Sequence, residues 1–364
     1  MKLKIKLAEL VPVADGLKNF VQEVRSMLGS KLLKIEMKNE NTIIFKYRNL
    51  EYFIDAECQA ESIEGLDKVI VVADTFLNTI LNLNRKIETI DISKERNNLV
   101  VKYGKSYSKI SILPDEDFQE IPAFKPLAVL TINANILNDL IKAVSFATNI
   151  NSDIEITKSI LFHIQNKKLS LAATDSNRLA SASTITNLDF DGKALIPANS
   201  LIRSSKILTG EVKIGFDDRL LMIRSGKFLV MNRLFPAGFP DYEKIISVDD
   251  ENCCKIKVDL KSMLEVVNTL ISFNNYVFFE LDFTTKEIVF TSKETSVGFT
   301  KQFISTSSIE GKDCPKVLLD MALIKDYLST LSTENIEFTI YGELKPIIFK
   351  GENRFAVFMP LRGN

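Results

Sequence analysis

The sequence predicts an α+β fold made of three repeated domains, in each of which two helices pack on antiparallel sheets. The first observation behind this prediction is a layout that recurs three times: an aliphatic strand, a polar turn and then an amphipathic helix. The segments with this layout read VVADTFLNTILNLN from Val71, LIPANSLIRSSKIL from Leu195 and LLDMALIKDYLSTL from Leu318. Their first helical leucines, Leu77, Leu201 and Leu323, are 124 and 122 residues apart.

The second observation is the pattern of strands and helices around these segments. After each helix, apolar and polar residues alternate, turn at a glycine (Gly104, Gly226 or Gly351) and alternate again, which predicts an antiparallel meander. A further helix is predicted in the earlier half of each repeat, near Val11–Met27, Ala134–Thr148 and Leu260–Phe273. The repeats therefore predict three domains, residues 1–125, 126–250 and 251–364.

Composition excludes several classes of protein. The 46 Lys and Arg residues nearly balance 47 Asp and Glu residues, so the net charge of −1 argues against a protein that grips DNA through overall positive charge. No apolar run approaches the roughly 18 residues that cross a bilayer, and the alternating start Met1–Lys6 is typical of a strand rather than a signal peptide. The four cysteines show no C-x-x-C spacing, which indicates reduced thiols in a cytoplasmic protein.

Motifs for catalysis are missing from the sequence. His163 is the single histidine and stands in an aliphatic strand, where a buried residue of the sheet is expected rather than a catalytic base or a metal ligand. The chain contains neither the G-x-G-x-x-G nor the G-x-x-x-x-G-K-[ST] pattern that binds nucleotide phosphates. Carboxylates are plentiful, so one alternative stays open: an enzyme of a repeat α+β class with a carboxylate site in a cleft between domains.

Three short segments carry the most specific signal. Residues 169–180 read LSLAATDSNRLA, residues 239–246 read FPDYEKII and residues 357–364 read VFMPLRGN. The first segment alone predicts two strands joined by a polar turn, with Arg178 as a solvated charge. Together, in this order and at these distances, the three segments resemble the bacterial DNA polymerase III beta subunit family, the beta sliding clamps. The resemblance extends over the whole chain, most strongly from Leu127 onward.

The resemblance implies the DNA clamp fold, in which three domains per chain and two chains joined head to tail close a ring whose helices line the hole. It implies a replication processivity factor without catalytic residues, cofactor or bound metal. The partners it implies are double-stranded DNA bound without sequence preference, a second copy of the chain, the replicative polymerase subunit, a clamp loader, and repair and other polymerases that carry short peptide motifs. No membrane partner is expected.

In this family, partner peptides bind in a pocket that combines apolar walls with a polar rim. Carried over by position, the pocket would consist of Thr157, Thr174, Ser176, Asn177, Arg178, Leu179, Pro240, Lys244, Ile245, Leu344, Pro346, Val357, Met359, Pro360, Leu361 and Arg362. Ser176 and Asn177 replace a Gly-His pair that is usual in the family, and Thr157 replaces a leucine. We therefore hypothesise that the site persists with a changed affinity and peptide preference.

The resemblance also implies residues for the hole of the ring and for the contact between two chains. Residues expected to face DNA are Lys31, Asn149, Asn151, Arg203 and Lys206. Scattered side chains of this kind would hold a duplex through few or water-mediated phosphate contacts and leave it free to slide. Residues expected at the dimer interface are Tyr107, Ser108 and Ile110 on one chain with Leu270 and Ile271 on the other.

Overall fold

The computed structural model describes residues 2–21, 31–65, 68–114, 118, 120–121, 123–236, 238–246, 253–296, 298–311 and 314–362. The chain forms two compact units. Unit 1 comprises Met1–Asn138 and Asn199–Phe235, and unit 2 comprises Asp139–Ala198 and Pro236–Asn364. The domain limits at residues 125/126 and 250/251 stay a prediction, and the second of them falls in residues 247–252, outside the described part of the chain.

Strands and helices follow a similar order in each third of the chain. The first third contains β1 (Lys2–Lys6), α1 (Leu7–Lys18), β2 (Leu32–Asn39), β3 (Thr42–Arg48), β4 (Tyr52–Gln59), β5 (Ser62–Glu64), β6 (Lys68–Val72), α2 (Ala73–Leu81), β7 (Thr89–Glu95), β8 (Asn98–Tyr103) and β9 (Ser106–Ser111). The second contains β10 (Ala128–Asn133), α3 (Ala134–Ser145), β11 (Ser159–Gln165), β12 (Lys168–Thr174), β13 (Arg178–Ile185), β14 (Gly192–Pro197), α4 (Ala198–Ser205), β15 (Glu211–Phe216), β16 (Leu220–Ser225), β17 (Phe228–Arg233) and α5 (Tyr242–Ile246). The last contains β18 (Cys254–Asp259), α6 (Leu260–Ile271), β19 (Tyr276–Asp282), β20 (Glu287–Ser292), β21 (Lys301–Ser305), β22 (Ser308–Glu310), β23 (Val317–Asp320), α7 (Met321–Leu328), β24 (Asn335–Ile340), β25 (Ile347–Lys350) and β26 (Arg354–Phe358).

Each helix except α5 starts at the residue after a strand ends. The predicted starts of α3 and α6, at Ala134 and Leu260, are confirmed. The predicted start of α1 near Val11 is wrong: the helix begins at Leu7, at a junction where no capping side chain marks it in the sequence. The predicted end of that helix at Met27 lies outside the described residues. No helix in the described ranges is long and apolar enough to span a membrane.

The described strands form two antiparallel sheets in each unit. Unit 1 holds a five-stranded sheet, β5-β1-β7-β8-β9, and an eight-stranded sheet, β10-β15-β16-β17-β4-β3-β2-β6. Unit 2 holds a nine-stranded sheet, β14-β11-β12-β13-β26-β25-β24-β18-β22, and a four-stranded sheet, β21-β20-β19-β23. The two large sheets each join strands from neighbouring thirds of the chain, because β17 pairs with β4 and β26 pairs with β13.

A group of aromatic side chains packs together within the largely aliphatic core of unit 2. The rings of Phe338 and Phe349 stack with centroids 4.9 Å apart. Phe349 also meets Phe358 and Tyr327 edge to face, at 5.5 and 5.4 Å. Since Phe349 belongs to β25, Phe358 to β26 and Tyr327 to α7, these contacts fix the helix on the part of the nine-stranded sheet that pairs with β13.

His163 is buried in β11 of the nine-stranded sheet, as the sequence predicts. It pairs with Ser170 on β12 and Lys193 on β14, and its Nε2 atom has no hydrogen-bond partner among the described residues. Burial lowers the pKa of the imidazole below its ordinary value of 6.5, and the positive charge of Lys193 lowers it further. The fold therefore favours the neutral form of His163 over the charged form.

We expect His163→Gln to reduce the loss of stability on mild acidification. The unfolded chain binds the histidine proton near pH 6.5 and the folded chain only at lower pH, so the unfolded state binds more protons and the free energy of unfolding falls as the pH drops below about 6.5. Urea titrations at pH 5.5 and 7.5 measure this slope. The carboxylates are identical in both proteins, so equal slopes for the variant and the unmodified chain would contradict the prediction.

Candidate functional site

Asp175 organises the turn between β12 and β13. Its Oδ1 atom accepts hydrogen bonds from the backbone N–H groups of Asn177 and Arg178, each at 3.0 Å. The hydroxyl of Thr174 donates to the Arg178 carbonyl at 2.7 Å and accepts from the Ser176 N–H at 3.1 Å. Short polar side chains thus satisfy the backbone of the turn, which holds Ser176 and Asn177 at the surface.

Arg178 is buried, so its interpretation as a solvated charge is wrong. Its Nε atom donates to Oδ2 of Asp175 at 2.9 Å, and Nη1 donates to Oδ2 of Asp326 at 2.8 Å and to the Leu323 carbonyl at 3.0 Å. The guanidinium carbon lies 5.3 Å from the centroid of the Phe146 ring. A cation withdrawn from water needs such partners to offset its desolvation. Arg178 therefore ties the turn to α7.

The joint between β13 and β26 supplies an apolar floor. Leu179 on β13 faces Val357 on β26, and both side chains are buried. Successive strand residues point to opposite faces, so Leu179 and Val357 share the face opposite Arg178 and its neighbour across the joint, Phe358. One face of this joint is thus locked to α7, and the other carries the predicted pocket residues.

The segment after β26 is held by two backbone hydrogen bonds. The Met359 N–H donates to the carbonyl of Asn177 at 3.0 Å, and the Leu361 N–H donates to the carbonyl of Leu318 at 2.8 Å. The Met359 side chain is 44% exposed, while Pro360 and Leu361 are half-buried. The structure therefore brings this segment against the Asp175 turn, as the carried-over pocket requires.

The segment that contains α5 docks beside this floor through aromatic contacts. The ring of Tyr242 lies 6.4 Å from that of Phe355 and 6.2 Å from that of Phe239. Phe355 stands two residues before Val357 on β26 and so shares its face. The docked segment carries three predicted pocket residues: exposed Pro240, half-buried Ile245, and exposed Lys244, which pairs with Asp241 at 3.0 Å.

The remaining predicted pocket residues lie outside the strands of the β13–β26 joint. Thr157 is buried, and its hydroxyl donates to the Ile154 carbonyl at 3.0 Å, so its polar group is turned into its own loop. Leu344 and Pro346 lie in the connection between β24 and β25, where the Leu344 side chain is 52% exposed. Arg362 is exposed at the end of the described chain.

The residues expected to face DNA differ in how available their side chains are. Arg203 donates to the Asn19 carbonyl and to Oδ1 of Asn199, so its guanidinium is engaged within unit 1. Lys31 is half-buried. The exposed members of the set are Asn149, Asn151 and Lys206.

The residues expected at the dimer interface differ in how exposed their side chains are. Ile110 and Leu270 need correction: both are buried in the cores of their units, because they occupy inward positions of a strand and of a helix. Ser108 and Ile271 are half-buried, and the Ser108 hydroxyl lies 3.0 Å from that of Tyr103. Tyr107 is 61% exposed.

Sequence reasoning missed the groups that hold Arg178. Asp175 had a local signal, since an aspartate directly after a strand often caps the following turn with its side chain. Asp326 and Phe146 gave no signal, because they stand 148 and 32 residues from Arg178 in the sequence and meet it only in the fold. Within the described residues, no three His, Cys, Asp or Glu side chains are grouped so that they could hold a metal ion.

We expect Arg178→Met to lower the free energy of unfolding by about 3 kcal/mol or more, because Asp175 and Asp326 lose a buried partner. The free energy of unfolding of Arg178→Lys should lie between those of Arg178→Met and the unmodified chain, since lysine keeps the charge and loses the planar fork of donors. The matched control is Arg224→Met, which removes a half-exposed arginine 3.9 Å from Glu57 and should change stability by about 0.5 kcal/mol or less. Urea unfolding measures all three; equal effects at Arg178 and Arg224 would contradict the assignment.

We expect Ser176→Gly to stabilise the chain by about 1 kcal/mol, because Ser176 adopts a left-handed conformation, with φ of 80°, that glycine adopts without steric cost. Asn177→Gly is the control: Asn177 is not among the residues with positive φ, so glycine there only adds freedom to the unfolded chain. Thermal unfolding compares the variants, and a lower midpoint for Ser176→Gly than for the unmodified chain would refute the prediction.

Comparison with known proteins gives these positions a family context. The family model for the DNA polymerase III beta subunit, central domain, matches residues 131–241. A protein of Streptococcus pneumoniae named Beta sliding clamp is 23% identical over 341 residues, which cover 90% of this chain and 89% of the relative. The protein of the same name from Bacillus subtilis is 22% identical over 324 residues, which cover 84% and 83% of the two chains.

Solved structures agree with this context at the level of the fold. The DNA polymerase III subunit beta of Pseudomonas aeruginosa superimposes with a TM-score of 0.92 at 18% identity, and that of Thermotoga maritima with 0.91 at 20%. Each comparison covers 100% of both chains. The residues that resemble clamp motifs, the family match and relatives aligned along most of their length agree: residues 131–241 match the central domain of the DNA polymerase III beta subunit, and the chain is similar along most of its length to the beta sliding clamps.

Proposed function

We propose that this chain is the sliding clamp of a replication machinery, a non-catalytic processivity factor. Two copies would encircle duplex DNA and tether the replicative polymerase subunit, and repair and other polymerases, by raising their effective concentration at the template. The observation that carries this proposal is the β13–β26 joint, where clamp-like sequence segments from three parts of the chain meet on one face. The similarity to proteins named Beta sliding clamp favours this function over the enzyme with a carboxylate site.

The chemistry of the joint suits a short, apolar peptide anchor. Leu179 and Val357 offer a buried floor, and Met359 offers a flexible, polarizable side chain that adapts to several partners. Arg178 does not compete for a ligand carboxylate, because Asp175 and Asp326 already neutralise it. Specificity should therefore rest on apolar fit and on polar groups of the rim such as Asn177.

Exposed cations on the helices support the DNA-encircling part of the proposal. Lys142 and Lys206 are exposed on or next to α3 and α4. With a net charge of −1, scattered cations of this kind would give weak, sequence-independent contacts rather than a fixed grip. A clamp loader that opens the ring, a cytoplasmic location, and domains at residues 1–125, 126–250 and 251–364 complete the proposal.

Two sheet edges support the head-to-tail dimer. β9 is one edge of the five-stranded sheet in unit 1, opposite β5, and β21 is one edge of the four-stranded sheet in unit 2, opposite β23. Joined between two copies, they would make a nine-stranded sheet comparable with the two large sheets within the chain. Pairing would also cover edges that otherwise invite aggregation, and repeating the contact with the second copy closes a ring.

We expect the double variant Met359→Ala with Leu361→Ala to weaken binding of a fluorescent peptide that carries a Gln-Leu-x-Leu-Phe motif by about tenfold or more, because buried apolar anchors dominate such interfaces. Fluorescence anisotropy with a scrambled peptide measures the dissociation constant. The matched control is Met222→Ala with Leu229→Ala, which removes two half-buried apolar residues that pack against the Phe53, Leu220 and Met231 cluster in unit 1.

Both double variants must retain the thermal midpoint of a folded chain. Equal affinities for the Met359/Leu361 variant and the unmodified chain would refute the peptide site. Equal losses in the two double variants would mean that the effect is not local to the β13–β26 joint.

A further inference from the structure

The two joints between thirds of the chain share one register. In unit 1, a row of facing residues crosses the sheet from Ile70 through Lys34, Lys46 and Asp55 to Leu229. In unit 2, the equivalent row runs from Leu195 through Leu161, Ala172 and Ser181 to Phe355. Both rows begin two residues before the end of the strand that precedes a helix, because β6 ends at Val72 and β14 at Pro197. The repeated fold therefore fixes which residues face each other.

The four-stranded sheet contains an equivalent row of facing residues, which has four members instead of five. It runs from Leu318, two residues before the end of β23, through Phe278 and Thr291 to Lys301 on the edge strand β21. The residue that continues the row lies on the last strand of a meander, as Leu229 does on β17. In the first third of the chain, that position is Tyr107 on β9.

The facing residues on the other strands of each sheet also make Tyr107 and Leu229 equivalent. Tyr107 faces Lys102, Lys102 faces Asp91 and Asp91 faces Lys4, two residues before β1 ends. The row from Leu229 passes through Arg224 and Lys213 to Thr131, two residues before β10 ends. If β9 and β21 of two copies pair as the other joints do, Tyr107 of one copy faces Lys301 of the other.

The same register aligns two further pairs on this face. If the register continues past the start of β21, the positions of Met231 opposite Phe53, and of Val357 opposite Leu179, place Lys109 opposite Phe299, which lies two residues before that strand begins. In the existing joints, the Glu57 N–H donates to the Lys227 carbonyl at 2.8 Å and the Ser183 N–H to the Asn353 carbonyl at 2.9 Å.

These two hydrogen bonds mark the end of each joint, next to the hairpin turn. Lys105 follows Gly104 in the β8–β9 turn as Lys227 follows Gly226 in the β16–β17 turn. Phe303 stands two residues after Lys301, as Glu57 stands two residues after Asp55. The third joint would therefore place Lys105 opposite Phe303.

Each of the three facing pairs joins a lysine to an aromatic ring. Tyr107, Phe299 and Phe303 are 61%, 59% and 53% exposed, so each offers a large apolar surface that nothing in its own unit covers fully. The six positions contain no carboxylate. Cations already approach two of these rings within each strand: the Lys109 Nζ atom lies 5.6 Å from the Tyr107 ring centroid, and that of Lys301 lies 5.4 Å from the Phe303 centroid.

We propose that two copies of this chain close their ring through a ladder of alternating lysine and aromatic side chains, Lys105–Phe303, Tyr107–Lys301 and Lys109–Phe299. The proposal rests on the proposed homodimer and specifies its chemistry. The rings cover one another's apolar surface, and each lysine lies over an aromatic face across the strand pair. Because no facing pair joins opposite charges, the association does not depend on ion pairs that salt would screen.

The dimer dissociation constant of the full-length chain tests the ladder. Sedimentation velocity over a concentration series, at 50 and 500 mM NaCl, should give values that differ by about threefold or less, whereas several interfacial ion pairs would weaken association much more. Each of the single variants Tyr107→Leu and Lys301→Met should weaken one interface by about fivefold. The ring has two such interfaces, so both contribute to the rise in the dissociation constant of the dimer. The combination of the two variants should cost less than the two single effects added, because both remove the same contact.

The matched control is Phe278→Leu with Lys316→Met. Lys316 lies over the Phe278 ring at 4.6 Å in the same sheet, away from the β21 edge, so its loss removes a lysine–aromatic contact that the interface does not use. This control should leave dimerisation unchanged. A dimer that is indifferent to Tyr107→Leu and Lys301→Met, or whose single effects add fully, overturns the ladder and leaves the clamp dimer standing. A chain that stays monomeric at high concentration overturns both.

Discussion

The pairing of strands from successive thirds of the chain is the constraint on which the rest of the structure depends. Each such joint turns two half-sheets into one sheet and fixes a register in which every residue has a defined neighbour. The joint between β13 and β26 places Leu179 beside Val357 and sends the following residues, from Met359 onward, back against the Asp175 turn. A slip of one residue would turn these side chains to the opposite face and abolish the site.

Equivalent positions in the two joints are covered by different side chains. In unit 1, Phe53 and Met231 occupy the places of Leu179 and Val357, but Ile121 and Phe124 pack over them. In unit 2, the segment with α5 docks to one side through Tyr242, and Met359 stays 44% exposed. The repeat thus places a similar pair of apolar residues in both joints. The connecting segments decide whether this pair is part of a core or of a surface that can bind a ligand.

Arg178 shows how the opposite face of the same joint is stabilised. Its guanidinium is neutralised by Asp175 from the turn and Asp326 from α7, with the ring of Phe146 alongside. Since a buried cation without partners is costly, this cluster holds the turn, the helix and the strand in one geometry. The rigidity of this inner face gives the rim residues Ser176 and Asn177 a defined position on the outer one.

Much of this fold was determined by sequence pattern alone. Alternating strands, helices that follow them and a spacing near 120 residues are local features, so the α+β class, the repeats and the starts of α3 and α6 could be predicted from periodicity. The start of α1 could not, because Lys6 passes from strand to helix without a capping side chain. The three segments at residues 169–180, 239–246 and 357–364 together indicated the resemblance to the family, and with it the expected location of the site.

Tertiary structure decided what each side chain of the site does. Sequence pattern cannot tell a solvated arginine from a buried one, because the partners of Arg178 lie far away in the chain. The family resemblance placed Ile110 and Leu270 at an interface, although the fold turns both toward the core. The identity of facing residues across a joint is decided by register, which depends on the whole sheet, and only the assembled rows show that Tyr107 and Lys301 occupy corresponding places on two open edges.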